Sequence, residues 1–386
     1  MNALDLYKTR KIAFFAIGGT LSALFYSLME QMILHGAKAP IDCLMNNILG
    51  GILINLIFGC FMGIVVGMFE VFLFNKRMRS KNFGQLLWLK TGIYLLLFTF
   101  SAVMIVFTHA MYDLNAPIYH KAVVEQALSA IQGIYLPLFL IYVTTWVTGS
   151  IFLLQMSEKL GNGVLWQFLL GKYHRPKQEQ RAFMFLDMKD STSIAERIGS
   201  QKFYQLLNDF FADMTDTILR YQGEIYQYVG DEIIITWQVG KHDRAALIHC
   251  FYEIDQAIQK KGSYYLKQYG FIPEFKAGIH EGQVTVGEVG TIKREIVFSG
   301  DVLNTTSRIQ GLCNQYETKL LVSDVFYALL PEMTQQIVGE SMGKVRLKGK
   351  AEMVGIVKIT PEYSSIYRVH WQPELPVIGK KYIEVV

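Results

Sequence analysis

Four long apolar runs crowd the first 155 residues and leave that part of the chain little choice of structure. Ile12 to Met29 carries no charge and follows Lys8, Arg10 and Lys11; Ile48 to Phe74 carries only Glu70; Gly92 to Thr108 and Gly133 to Leu154 carry none. Each approaches the ~20 apolar residues that a helix needs to cross a hydrocarbon core. In lipid every backbone N–H and C=O must be bonded within its own segment, so runs of this kind form helices. Three further runs and the lack of a small-residue cleavage site set the first apart from a cleaved signal segment. These runs lift the hydrophobic share of the chain to 51%; beyond Gln155 the residues are those of an ordinary globular domain.

Basic residues give the orientation. Besides the N-terminal group, Lys76, Arg77, Arg79 and Lys81 lie between the second and third runs, whereas Leu34–Asn47 and His109–Ala130 carry few cations. The positive-inside rule then predicts a multi-pass protein of the inner or plasma membrane with both termini in the cytoplasm. Gly59, Gly63 and Gly67 recur on one face of the second run, a small-residue stripe for close packing within one bundle or between protomers. Asn55 and Glu70 mark a candidate polar pocket. His35, His109 and His120 read as solvated loop residues rather than haem ligands, and no run shows the paired charges of an ion path. A net charge of +4, with no Lys/Arg block interleaved with aromatics, argues against nucleic acid as a partner. The four cysteines (Cys43, Cys60, Cys250 and Cys313) have neither zinc-site spacing nor a disulfide framework.

The expected plan is a membrane domain (1–155), a juxtamembrane connector (156–180), a globular domain (181–360) and a tail (361–386). In the connector Val164, Leu165, Phe168 and Leu169 share a helix face and Pro176 marks a stop, giving a helix that pairs with its copy or lies on the lipid. The tail carries Trp371, Pro373 and Pro376 and matches no motif.

In the globular half a short apolar strand, Phe183 to Leu186, ends on Asp187 and is followed by Lys189, Asp190, Ser191 and Thr192. Glu224–Val229 and Ile233–Trp237 read as strands joined by a tight turn carrying Asp231. Either aspartate alone reads as a cap or turn residue. Two carboxylates at adjacent strand ends, beside small hydroxyl residues and glycine, suit divalent metal and phosphate. Mg²⁺ takes oxygen ligands, usually one or two carboxylates completed by substrate phosphates. A helix over Asp243–Tyr269 follows, then strands Phe275–His280, Gln283–Val289 and Glu295–Phe298. Next comes a helix from Gly300-Asp301 through Asn304, Ser307, Arg308 and Leu312, then Leu320–Ser323 and a last pair, Lys344–Leu347 and Met353–Ile359. The pattern is α+β.

Five segments in this order, FLDMKDST, YVGDE, FKAGIHEGQVTVGEVG, FSGDVLNTTSR and RLKGK, resemble the class III nucleotidyl cyclases over Arg181–Thr360. The resemblance implies a ferredoxin-like core working as a head-to-tail homodimer with active sites at the interface. The whole chain is then expected to be a four-helix transmembrane domain followed by an α+β ferredoxin-like class III nucleotidyl cyclase domain. It further implies that Asp187, Asp231 and the Met188 carbonyl hold two ions, Mg²⁺ or Mn²⁺, and that Ser191 and Thr192 contact phosphate. Asn304 and Arg308 would orient the ribose and stabilise the transition state, and Lys348 or Lys350 would bind phosphate. The implied reaction is in-line attack of the ribose 3′-hydroxyl on the α-phosphate, with pyrophosphate leaving.

Base recognition departs from the family pattern. Gln227 stands where adenylate-forming members carry a lysine, and Val297 where they carry Asp or Thr; the Glu and small polar residue of guanylate-forming members are missing too. The Gln227 amide both donates and accepts, so it can read either purine, with Ser299 or a backbone group as second contact. The expectation is a membrane-bound adenylate cyclase acting on ATP, with a GTP-using guanylate cyclase and a catalytically silent cyclase-like receptor as alternatives. Intact Asp187, Asp231 and Arg308 argue against the silent receptor. The Val-Gly-Asp-Glu-Ile turn and the Asn304/Arg308 helix argue against a diguanylate cyclase.

Overall fold

A computed structural model of the chain describes residues 3–36, 48–73, 82–133, 135–161, 164–240, 243–330, 337–347 and 352–361. Two compact units are present, Met1–Trp166 and Gln167–Val386.

The first unit contains α1 (Ala3–Gly36), α2 (Ile48–Met68), α3 (Phe83–Leu114), α4 (Lys121–Gln132) and α5 (Tyr135–Leu160). All but α4 are long and apolar enough to cross a membrane. Helix α4 lies in what the sequence suggested was an outer loop. It forms because Val123 and Ala127, one turn apart, bury against Ala110. The glycine stripe is used inside the bundle. A Cβ at Gly63 would fall 2.8 Å from Ala16 Cα, and one at Gly67 2.9 Å from Ile12 Cα, so α1 packs on α2 only because those side chains are missing. Asn55 Nδ2 donates to Ser27 Oγ at 3.0 Å.

The third apolar helix starts at Phe83 rather than near Gly92 and takes Lys90 into the bundle. Lys90 Nζ lies 2.6 Å from Glu70 Oε2, and the Tyr94 hydroxyl donates to Glu70 Oε1 at 3.0 Å, all three residues being buried. Glu70 sits in a π-helical turn, Phe69–Leu73, that continues α2. Paired charges therefore do occur in this unit, contrary to the expectation. Each neutralises the other, which is what lets a charged residue enter an apolar bundle.

The second unit begins with a six-residue helix, α6 (Val164–Leu169), which overlaps the unit boundary and leaves Trp166 and Leu169 exposed. Its sheet comprises β1 (Lys177–Met188), β2 (Glu224–Val229), β3 (Glu232–Gln238), β4 (Phe275–Val289), β5 (Glu295–Ser299), β6 (Leu320–Ser323), β7 (Ile337–Arg346) and β8 (Met353–Pro361). The strand order is β2-β3-β1-β4-β6-β8-β7, with β5 on β4; all described pairings are antiparallel except β4 with β6. Around it run α7 (Ser191–Ile198), α8 (Ser200–Arg220), α9 (Arg244–Lys260), α10 (Gly262–Tyr269), α11 (Asp301–Gly311) and α12 (Asp324–Ala328).

Side chains alternate along a strand, and β1 is buried on both sides. Ala182, Met184, Leu186 and Met188 enter the main core with Leu206, Phe210, Met214 and Ile218 of α8 and Ile248 and Ile254 of α9. Phe183 and Phe185 enter a second core with Tyr173, Ile234, Val284, Val286 and Val302. Strand β1 starts at Lys177 because Lys177–Gln180 pair with Gln283–Val286, and buried Tyr173 also belongs to this unit. The two strands expected over 275–289 are one, and the single expected helix over 243–269 is two, parted at Lys261. Gly282, which reads as a break, stays in register with Arg181. A Cβ there would fall 2.7 Å from Val302 Cγ2, so the glycine serves the seating of α11 rather than ending a strand.

Candidate active site

Asp187 is the penultimate residue of β1; its register partners are Glu232 on β3 and Lys276 on β4. Asp231 occupies the two-residue turn between β2 and β3. Gly230, at φ +63°, supplies the left-handed first position that such a turn demands. Burial first, then the neighbouring Asp231 carboxyl, pushes the Asp187 carboxyl up to about 6. Glu232 alongside is pushed up to about 7 by burial and by Asp187 and Asp231. Against this crowd stand Lys276 Nζ, 3.6 Å from Asp187 Oδ2, and Gln310 Nε2, which donates to the same oxygen at 3.1 Å.

Crowded carboxylates short of positive charge fit a divalent cation. Among the described residues no set of three or more His, Cys, Asp or Glu side chains forms a closed metal cage. An open two-carboxylate site is what Mg²⁺ requires when phosphates complete its shell. Met188 buries its side chain in the main core, so only its carbonyl is available. Asp190, at φ +57°, caps α7 without a side-chain cap bond. The first-turn N–H groups of α7, at half-buried Ser191 and exposed Thr192, have no intrahelical partners and suit a phosphate.

Helix α11 lies on β4 through two glycines. Besides Gly282, a Cβ at Gly278 would fall 2.8 Å from both Gln310 Cα and Thr306 O. Val302, Thr305, Thr306, Ile309 and Gln310 are buried beneath the helix, while Asn304 is exposed and Arg308 half-buried on another face. No described contact joins Asn304 or Arg308 to Asp187 or Asp231.

Gln227 is exposed on edge strand β2, just past an irregularity in its pairing with β3, and Val297 is half-buried on β5. Their neighbours Tyr226 and Phe298 pack edge to face at 4.9 Å between ring centroids, tying the two strands together. Lys348 and Lys350 lie outside the described residues. Sequence reasoning missed Gln310, Lys276 and Glu232. Glu232 stood in the YVGDE segment; Gln310 gave no local signal, because it acts across 123 positions.

The model of the adenylate and guanylate cyclase catalytic domain family matches residues 174–358. The chain is 32% identical to "Adenylate cyclase 2" of Rhizobium meliloti (strain 1021) over 316 residues, which is 81% of this chain and 84% of that protein. It is 27% identical to "Adenylate cyclase 1" of the same organism over 194 residues, 47% of this chain but only 28% of that relative's length. The crystal structure of the adenylyl cyclase CyaB from P. aeruginosa aligns at TM-score 0.42 and 21% identity, covering 49% of this chain and 97% of that one. The first alignment is longer than the catalytic domain, so the likeness takes in part of the apolar half as well as the carboxylate site. The chain belongs to the class III adenylate and guanylate cyclases.

Proposed function

We propose that this chain is a membrane-bound adenylate cyclase that converts ATP to 3′,5′-cyclic AMP and pyrophosphate. The observation that carries the reading is the meeting of Asp187 and Asp231 at two strand ends beside the open N-terminus of α7. The printed names of the matched relatives favour ATP over GTP. Two ions, Mg²⁺ or Mn²⁺, when bound, neutralise phosphate charge and make the ribose 3′-hydroxyl a better nucleophile. Asp187, Asp231 and the Met188 carbonyl hold them. The Ser191 and Thr192 turn receives phosphate oxygens, as does Lys348 or Lys350. Asn304 orients the ribose, and Arg308 supports the charge that develops at the transferred phosphorus. Gln227 and Val297 line the purine.

The working unit is a two-fold homodimer, a reading supported by the placing of Asn304 and Arg308 on a different face of α11 from Gln310, which touches Asp187. Each copy's α11 serves the other's metal site, giving two equivalent composite sites. The first 155 residues cross the membrane four times with both termini in the cytoplasm, the connector over 156–180 joins them to a catalytic domain over 181–360, and the tail over 361–386 follows. The test is turnover of ATP and of GTP by the full chain in detergent, in Mg²⁺ and in Mn²⁺. Asp187→Ala and Asp231→Ala should each abolish turnover with the fold intact. Faster turnover of GTP would overturn the substrate, and near-normal activity of either variant would overturn the metal assignment.

A further inference from the structure

The inner face of α11 reaches the metal carboxylates of its own chain. Gln310, only 6% exposed, donates from Nε2 to Asp187 Oδ2 at 3.1 Å. The reach depends on a close approach of backbone to backbone. Gly278, the register partner of Phe185 two residues before Asp187, lets α11 settle with Gln310 Cα where a side chain would otherwise stand. Any larger residue at 278 would lift the helix and withdraw the amide. Lys276 Nζ approaches the same oxygen at 3.6 Å and also donates to Asn314 Oδ1 at 3.4 Å, just beyond the end of α11. One oxygen of Asp187 is therefore engaged by protein donors from two elements, which orients the carboxylate and leaves its other oxygen for a cation.

We propose that Gln310 is a positioning residue: it fixes Asp187 for the divalent cation and, through the same bond, makes the seating of α11 depend on whether that cation is bound. Partners that hydrogen-bond a metal-ligating carboxylate orient it and contribute ~10–100-fold to metal affinity. By linkage, a cation that binds the Gln310-held orientation of Asp187 favours that bond in turn, and with it the helix carrying Asn304 and Arg308. The state of one metal site is thus passed to the residues offered to the other. This inference rests on the metal reading above, and the experiment separates the two.

Full-length protein in detergent is titrated with Mn²⁺ in the presence of 3′-deoxy-ATP, which lacks the attacking hydroxyl. Free Mn²⁺ is read by electron paramagnetic resonance against a protein-free nucleotide blank. Gln310→Met keeps the length and removes the donor; Gln310→Asn keeps the amide and shortens its reach; Asp187→Asn removes the ligand charge. The expected result is half-saturation at about tenfold or more higher Mn²⁺ for both Gln310 variants, with no binding at this site in Asp187→Asn. In the wild type Mn²⁺ should also slow hydrogen exchange of the amides over 301–311. Wild-type titration by the Gln310 variants, with binding lost in Asp187→Asn, overturns the role of Gln310 and leaves the metal site standing. Wild-type binding by Asp187→Asn overturns the metal site itself. If neither Gln310 variant folds, the wild-type exchange measurement decides: protection of α11 by Mn²⁺ supports the coupling, and unchanged exchange overturns it.

Discussion

Arg181 allows a stability prediction with a worked magnitude. It is 1% exposed, its Nε and Nη2 reach Glu179 Oε2 at 2.9 Å, and its Nη1 reaches Glu224 Oε2 at 2.6 Å. The guanidinium lies 5.0 Å from the centroid of the Phe298 ring, and the Tyr173 hydroxyl donates to Glu179 Oε1 at 2.9 Å. Arg181→Met keeps the bulk and removes the charge. Glu224, 46% exposed, then turns to water, but Glu179, 10% exposed, keeps only the Tyr173 hydroxyl and a solvent-screened Lys172 Nζ at 3.9 Å. Breaking a buried pair so that one ion is left uncompensated costs ~3–5 kcal/mol. In a domain of this size each kcal/mol moves the melting temperature by ~2–4 °C, so the expected fall is about 6–20 °C.

The pH dependence has a definite sign. Burial pushes the Glu179 carboxyl up, but the Tyr173 hydroxyl and the Arg181 guanidinium outweigh it and hold the pKa below the usual carboxylate range. A depressed carboxyl contributes stability that is present above its unfolded value of ~4 and is lost as pH falls through its folded value. The Met variant should therefore fall furthest behind wild type near neutral pH and close the gap in acid. Adding Glu179→Gln removes the stranded charge and should recover most of the loss. Thermal inactivation of full-length enzyme, read as residual cyclase activity after heating, follows this unit specifically. A fall under about 3 °C in Arg181→Met, or a double variant no better than the single, would refute the reasoning.

Three further outcomes follow from the site. With Asp187 and Glu232 raised to about 6 and 7, metal-free protein loses stability as pH rises from ~4 through those values. Added Mg²⁺ with nucleotide should then raise the melting temperature more at pH 7.5 than at pH 5, and an equal or reversed gain would be inconsistent with carboxylate crowding. Co-expressed Asp187→Ala and Arg308→Ala chains should recover about a quarter of wild-type activity, since random pairing makes about half the dimers mixed and each mixed dimer keeps one good site of two; no recovery despite demonstrated mixed dimers would mean that each chain builds its own site. Gln227→Glu and Gln227→Ala should shift the ratio of kcat/KM for ATP over GTP more than the overall rate, because a mismatched base leaves buried polar groups unpaired. An unchanged ratio would place base reading elsewhere.

What the sequence disclosed and what it hid differ in the range of the interactions involved. Asp187 and Asp231 were legible because each sits at the end of a short strand beside turn chemistry, and the pair suggested metal before any contact was known. Asn304 and Arg308 were legible as an i, i+4 pair on one helix. The face opposite was not: the bond from Gln310 to Asp187 spans 123 positions and exists only because Gly278 lets α11 approach. The unbroken strand over 275–289 was hidden for a related reason: Gly282 weakens the strand pattern, and the helix whose close approach it serves lies elsewhere in the sequence.

The apolar half shows the same limit in its charges. The sequence reading began the third apolar run at Gly92 and so left Lys90 outside it. With Glu70 at 2.6 Å and Tyr94 completing the carboxylate, the two charges enter the bundle together and the helix begins at Phe83. A pattern reading weighs each residue by what it would cost alone. Charges and glycines change their meaning once a partner is present. Arg181 entered the sequence reading only as the first residue of the matched segment, and its two carboxylates let it stand as a buried cation beside Tyr173 and Phe298 of the catalytic unit's second core. At such positions one substitution strands a partner, whereas substituting both partners together leaves neither uncompensated. The paired variants therefore test the assignments more sharply than single ones.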